Sequence, residues 1–244
     1  MTEKNTEQTF ALISNVTHQA INPLNGVIGT LDNVIDGTLT GERREQRIKS
    51  ARAQLEYTVS LIRNLAYFSQ YGADVNAVPE FNRIKTCVIP QVLIEAAQFF
   101  QEQASTSDIR IEVLNRWEQN AVKGDPDLLR QVFMNIFDNC LKYGTENSVV
   151  EIKQWIQKRS DTLIVTVSGA SVEFSQDEDI FALGVRGRAA QDVTAAGSGL
   201  GLHICRLIVE RLFKGGITAS YVRGRGAAEF DIRIPNAFTY ERAQ

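Results

Sequence analysis

FALISNVTHQAINPLNGVIG, residues 10–29, is the stretch around which the rest of the chain is arranged. Phe10, Ile13, Val16 or Thr17, Ile21, Leu24, Ile28 and Leu31 recur at helical spacing and draw an apolar stripe. His18, one of two histidines in the 244 residues, stands in the middle of it. Pro23 follows five residues later. Its missing N–H leaves the Gln19 carbonyl without a helical partner, which costs a helix interior about 3 kcal/mol. The apolar period nevertheless continues to Leu31, so one kinked helix is expected here. His18 beside that proline reads either as an ordinary surface histidine or as a functional group, and the stretch alone leaves both open.

Outward from this stretch the helical period holds from about Thr6 to Asp36, and GTLTGE (residues 37–42) then signals a turn. Thr40 or Gly41 can cap a second helix with Glu42 and Glu45 in its first turn. That helix runs to about Tyr71, with Ile48, Ala51, Leu55, Val59, Ile62, Leu65 and Phe68 expected on one side. A two-helix antiparallel hairpin cannot bury both apolar faces alone, so two copies are expected to pair as a dimeric four-helix bundle. The basic run Arg43, Arg44, Arg47, Lys49, Arg52 reads as a solvated face or as a docking surface.

GADVNAVPE, residues 72–80, is small, polar and aperiodic and reads as a linker. The expected domains are thus 1–71 and 81–244. In the second, helices are expected over Val88–Glu102, Asp127–Tyr143 and Leu200–Phe213. Strands are expected over Ile109–Leu114, Val149–Gln157 and Thr162–Val167, with a final hairpin of Ile217–Val222 and Ala228–Ile234. The elements interleave without regular βαβ alternation, which predicts an α+β fold: a helical hairpin followed by an α/β sandwich.

A net charge of −3 gives no sign of a nucleic-acid or membrane surface. The three cysteines, Cys87, Cys140 and Cys205, are far apart, so neither a zinc site nor a disulfide framework is expected. No stretch has the length of a membrane span, and MTEKNTEQTF lacks the apolar core of a signal peptide. A reducing, cytoplasmic setting is expected, either as a cytoplasmic protein or as the cytosolic part of a membrane receptor.

Two patterns carry chemistry. In DPDLLRQVFMNIFDNCLKYG, residues 125–144, Asn135 and Asn139 lie four apart on one helix face, and Lys142 follows within reach. Amide oxygens with an ammonium suit magnesium and the phosphates it bridges, although the same pattern also fits the polar stripe of an amphipathic helix. In AGSGLGLHI, residues 196–204, Gly197, Gly199 and Gly201 open a helix whose unpaired N–H groups can cradle phosphate. The spacing is not that of a dinucleotide fingerprint, and no GK[ST] follows. His203, inside the following helix, is read as structural.

In this order (His-bearing hairpin, Asn/Asn/Lys helix, DEDIFALGVRGR over residues 177–188, GSGLGL turn) the chain resembles the core of two-component sensor histidine kinases over nearly its whole length. The resemblance implies a dimeric bundle plus a Bergerat-type ATP-binding α/β sandwich. It makes His18 the phospho-acceptor, with Pro23 and Leu24 at matching offsets. Asn135, Asn139, Lys142 and Tyr143 match the Asn-rich box, in which Asn139 would hold Mg²⁺ beside ATP. Arg186 falls in the segment resembling the phenylalanine box, within reach of a triphosphate, and Gly197, Gly199, Leu200 and Gly201 match the second glycine box. The implied partners are a second copy and the receiver domain of a response regulator.

Two positions depart from that family. Gln19 stands where an acid normally follows the histidine; it accepts a hydrogen bond but cannot serve as a base. The acid that reads the adenine amino group is also missing: Ser168, in TVSGASVEF (residues 166–174), stands near its place, with only Gly169 left of the glycine pattern. Glu173 and Asp177 are the nearby acids that could substitute. Asn22, at i+4 from His18, either orients a water for dephosphorylating the partner or caps the kink before Pro23. The expected activity is ATP-dependent autophosphorylation on His18 and transfer to a response-regulator aspartate. The alternative is a degenerate kinase with weak or no ATP binding, acting as a phosphotransfer scaffold, a phosphatase or a regulator of another kinase. A chaperone- or topoisomerase-type ATPase of the same superfamily is disfavoured by the His18 hairpin.

Overall fold

The computed structural model describes residues 3–71, 83–175, 177–185 and 199–241; the expected linker, 72–80, lies outside them. The chain divides into two compact units, a helical one over residues 1–73 and an α/β one that takes most of the rest.

The helical unit is a hairpin of α1 (Glu3–Ile35) and α2 (Gly41–Tyr71). α1 runs through Pro23 without ending. The turn is closed by two left-handed glycines, Gly37 (φ +72°) and Gly41 (φ +54°). Thr38 Oγ1 and the Leu39 N–H both donate to the Asn33 carbonyl, at 2.8 and 3.1 Å, and satisfy an acceptor at the end of α1. The single stripe expected on α2 is in fact two. Ala51, Thr58, Leu61 and Phe68 are buried, whereas Ile48, Leu55, Val59 and Ile62 are exposed. α1 divides likewise: Val16 is buried, and Ile13, Ile21, Ile28, Leu31 and Ile35 are exposed.

The α/β unit runs β1 (Lys85–Val88), α3 (Ile89–Phe99), α4 (Gln101–Thr106), β2 (Arg110–Val113), β3 (Asn120–Gly124), α5 (Pro126–Tyr143), β4 (Val149–Gln157) and β5 (Thr162–Ala170). It continues with α6 (Gly201–Arg206, prolonged by a π-helical stretch, Leu207–Leu212), β6 (Gly216–Val222), β7 (Ala227–Ile234) and β8 (Phe238–Thr239). A five-stranded sheet has the order β2-β4-β5-β7-β6, parallel only between β2 and β4, and a small sheet has the order β1-β3-β8. β5 alternates strictly, with Leu163, Val165 and Val167 buried and their neighbours partly exposed. That period-2 pattern belongs to a sheet covered on one face. The cover is α3, α5 and α6, through fully buried Leu93, Leu129, Phe133, Ile136, Phe137, Ile204 and Ile208. Phe133 and Phe137, one turn apart on α5, stack at 6.3 Å. Burial of each such side chain contributes about 1.5–3 kcal/mol, so α5 is the element that fixes the layer.

Candidate functional site

α5 starts firmly. Asp125 caps it, its carboxylate accepting from the Asp127 N–H at 2.9 Å, and Pro126 takes the first helical position, where no N–H is needed. This sets the rotation of the helix, and with it the placement of Asn135 and Asn139. Asn135 is only 4% exposed. Its Oδ1 accepts from Gln131 Nε2 (3.1 Å), and its Nδ2 donates to the Gly201 carbonyl (3.1 Å). This side chain fastens α5 to the head of α6 at Gly201.

Asn139 lies one turn on and is half-buried. Its Nδ2 donates to the Asn135 carbonyl at 2.7 Å, while Oδ1 makes no hydrogen bond to a described residue. An amide held by its nitrogen presents its oxygen, a hard donor of the kind magnesium takes. Lys142, also half-buried, is ion-paired to Asp138. Asp138 was not singled out from the sequence, although its i, i+4 spacing to Lys142 carried the signal. Tyr143, half-buried, ends α5.

Gly199 has φ +67°, a conformation only glycine adopts at low cost, and it leads the chain into α6. Leu200 is fully buried. A Cβ on Gly201 would lie 3.6 Å from Asn135 Cγ, in ordinary contact. Arg186 and Gly197 lie outside the described residues. The described part of the phenylalanine-box segment is clamped to α6. His203 Nδ1 bonds the Phe181 carbonyl at 3.0 Å, Arg206 pairs with Asp179, and the Arg206 guanidinium lies 5.1 Å over the Phe181 ring. Burial pushes the His203 imidazole below its usual range, and the Arg206 hydrogen bond does the same to the Asp179 carboxyl.

Ser168 lies in β5. It is paired in register with Glu151 and Glu229, on the sheet face away from the helices. The helix-facing position is its neighbour Gly169, where a Cβ would lie 3.2 Å from Val150 Cγ2 and 3.8 Å from Cys140 Sγ. One residue changes the face completely in a strand. The helix-facing positions at the end of β5 are therefore Val165, Val167 and Gly169, and none carries a carboxylate. Glu173 is paired to Arg223 at 2.8 Å, and Asp177 is exposed in the loop beyond.

In the helical unit His18 is exposed on α1, Asn22 is exposed one turn later on the same face, and Gln19 is half-buried.

Residues 124–237 match the family model described as Histidine kinase-, DNA gyrase B-, and HSP90-like ATPase. The adaptive-response sensory kinase SasA of Synechococcus sp. is 29% identical over 236 residues, covering 92% of this chain and 58% of SasA. The solved structure of ShkA in complex with AMPPNP has a TM-score of 0.60 at 23% identity, covering 96% of this chain and 46% of that one. The histidine kinase ThkA, solved in complex with the response regulator protein TrrA, has a TM-score of 0.58 at 18% identity, covering 95% and 63%. Residues 124–237 carry a domain of that ATPase family, and together these likenesses support a two-component sensor kinase core. This kinase core spans between 11% and 58% of the length of the curated relatives compared. It has the mixed fold of solved histidine kinases, a helical N-terminal region and a sheet-based ATP-binding domain. No described helix of the kinase core is long and apolar enough to cross a membrane.

Proposed function

We propose that this kinase core binds ATP–Mg²⁺ in its α/β unit and phosphorylates His18, from which the phosphoryl group passes to an aspartate of a response-regulator receiver domain. The observation that carries the reading is the bond from Asn135 to the Gly201 carbonyl, which joins the Asn-rich helix to the head of α6. The residues fit the cofactor. Asn139 supplies a hard oxygen for magnesium, which when bound neutralises phosphate charge. The backbone N–H groups at the start of the helical run Gly201–Leu212 suit the phosphates. Lys142, Tyr143, Gly197 and Arg186 complete the proposed set. This chain's part in phosphoryl transfer is then positioning and charge stabilisation. His18, exposed on α1, is the nucleophile, and Asn22 lies on its face, placed to orient a water for dephosphorylating the partner.

Exposed aliphatic side chains on both α1 and α2 support pairing with a second copy as a four-helix bundle. The domain limits follow the hairpin, 1–71, and the nucleotide domain, 81–244. The solved pair of ThkA with TrrA supports a receiver domain as the partner.

Two positions set the quantitative expectation. Gly169 offers no charge-assisted hydrogen bond to a base, worth about 1.5–3 kcal/mol, so affinity is expected roughly ten- to a hundredfold below that of a site with the acid. Gln19 leaves His18 without an adjacent base. If ATP binding were lost altogether, the same features would favour a regulator of another kinase. Calorimetric titration with ATP and magnesium tests the site. Saturable binding that Asn139→Ala weakens at least tenfold is expected. Binding indifferent to that substitution, or to magnesium, would contradict the assignment.

A further inference from the structure

The turn end of the hairpin holds a cleft of about 750 Å³, a size common to small-molecule sites. We propose that it binds a small phosphate-bearing ligand through Arg43 and Arg47. The proposal stands on the helical unit alone and does not rest on the kinase reading.

On the α1 side the cleft is lined by Thr30 and Asn33 and by two glycines that leave it open. Gly26 and Gly29 line it, and a Cβ at Gly29 would meet nothing within 4 Å, so no packing requirement explains that glycine. Its other wall is held by internal bonds: Thr38 Oγ1 to the Asn33 carbonyl at 2.8 Å and Asn33 Nδ2 to the Gly29 carbonyl at 2.6 Å. Opposite stand Arg43 and Arg47, one turn apart and so on one face of α2. Neither has an ion pair with a described residue, and no Asp or Glu is among the residues lining the cleft. Two guanidiniums facing one groove repel each other until an anion lies between them, and their planar forks match phosphate oxygens in pairs. The first turn of the 31-residue α2 includes Arg43, so the positive end of the helix dipole adds to the same potential.

A second copy would leave this cleft open. At 100° per residue, Ile28 lies about 200° from Gly26, and Leu31 about 200° from Gly29, so the exposed aliphatic stripe of α1 points away from the groove. On α2, Ile48 stands about 100° from Arg47, and Leu55 about 80°.

The test is a titration of the full chain with inorganic pyrophosphate, followed by backbone ¹H–¹⁵N signals of Gly29 and Leu39 and the arginine Nε–H signals, with potassium chloride at matched ionic strength as the control. The expected result is a saturable shift of these signals with pyrophosphate and none with chloride. It should be weakened at least about tenfold in the double variant Arg43→Gln/Arg47→Gln, which removes two charge-assisted contacts. It should also be lost in Gly29→Leu, which adds a side chain to the cleft wall at a position whose Cβ meets nothing within 4 Å. Four outcomes would overturn the proposal: shifts linear in salt; shifts unchanged in both variants; shifts confined to Asn139 and Gly201; or Gly29 and Leu39 signals that respond to protein dilution and not to pyrophosphate, which would place a second copy in the groove.

Discussion

On the proposed function, Gly169 is the residue at which the chemistry of the nucleotide site is most exposed to test. It stands on the helix-facing side of β5 with Val150 Cγ2 3.2 Å from where a Cβ would lie. Gly169→Asp alone therefore presses a carboxylate against Val150, and burying a charge without a partner is costly. Gly169→Asp combined with Val150→Ala makes the space. The double variant is expected to bind ATP roughly ten- to a hundredfold more tightly by calorimetry, with little change for a triphosphate lacking the exocyclic amine. Equal gains for both nucleotides would show that position 169 does not face the base. Asn135 and Asn139 make a complementary pair. One is buried in the α5–α6 joint and the other is half-buried with its amide oxygen bonded to no described residue, so on the proposed function Asn135→Ala is expected to lower stability and Asn139→Ala to weaken nucleotide binding. The sequence placed the two asparagines on one face but could not divide their work, because the division depends on the Gly201 carbonyl 66 residues away.

At the scale of elements, the clamp between α6 and the Asp179–Phe181 segment is a pH-sensitive joint. His203 is held below its ordinary value by burial, so the folded state favours the neutral ring. The sign follows: its contribution is complete above the unfolded value of about 6.5 and is lost as pH falls below it. Asp179, held low by Arg206, keeps its contribution above the ordinary carboxylate value and loses it as pH falls through that value toward the lowered one. Thermal unfolding of the chain is expected to show a stability loss between pH 7 and 5 that His203→Gln largely removes. An identical pH dependence in both proteins would rule the clamp out as its source. The long periodic elements were legible: α1, α2, α5, the β4–β5 and β6–β7 hairpins and the turn at residues 37–41 carry their period over many residues. β1, β3 and β8 were not, because four, five and two residues are too short to establish a period, and β3 is buried almost throughout. Which of Ser168 and Gly169 faces the helices was not legible, because a strand end has no turn residue to anchor its register. The split of the α2 stripe was hidden for another reason: apolar spacing marks what must be buried, not which surface buries it.

At the scale of the molecule, the hairpin exposes Ile13, Ile21, Ile28, Leu31 and Ile35 from α1 and Ile48, Leu55, Val59 and Ile62 from α2. A surface of that kind is expected to pair in solution. Light scattering should give twice the mass of the chain, and Ile28→Asp with Leu55→Asp should give a monomer; an unchanged mass would mean that another surface joins the copies. The three cysteines are buried, and their thiols are pushed up to about 12 chiefly by burial, so they stand outside this chemistry. The central claim is that one chain both binds the nucleotide and presents its acceptor. The most direct test is incubation of the chain with γ-labelled ATP and magnesium beside His18→Ala and Asn139→Ala. Acid-labile label is expected on the unaltered protein and none on either variant. Absence of label together with absence of nucleotide binding would contradict the kinase assignment, and label retained after His18→Ala would contradict the assignment of the acceptor.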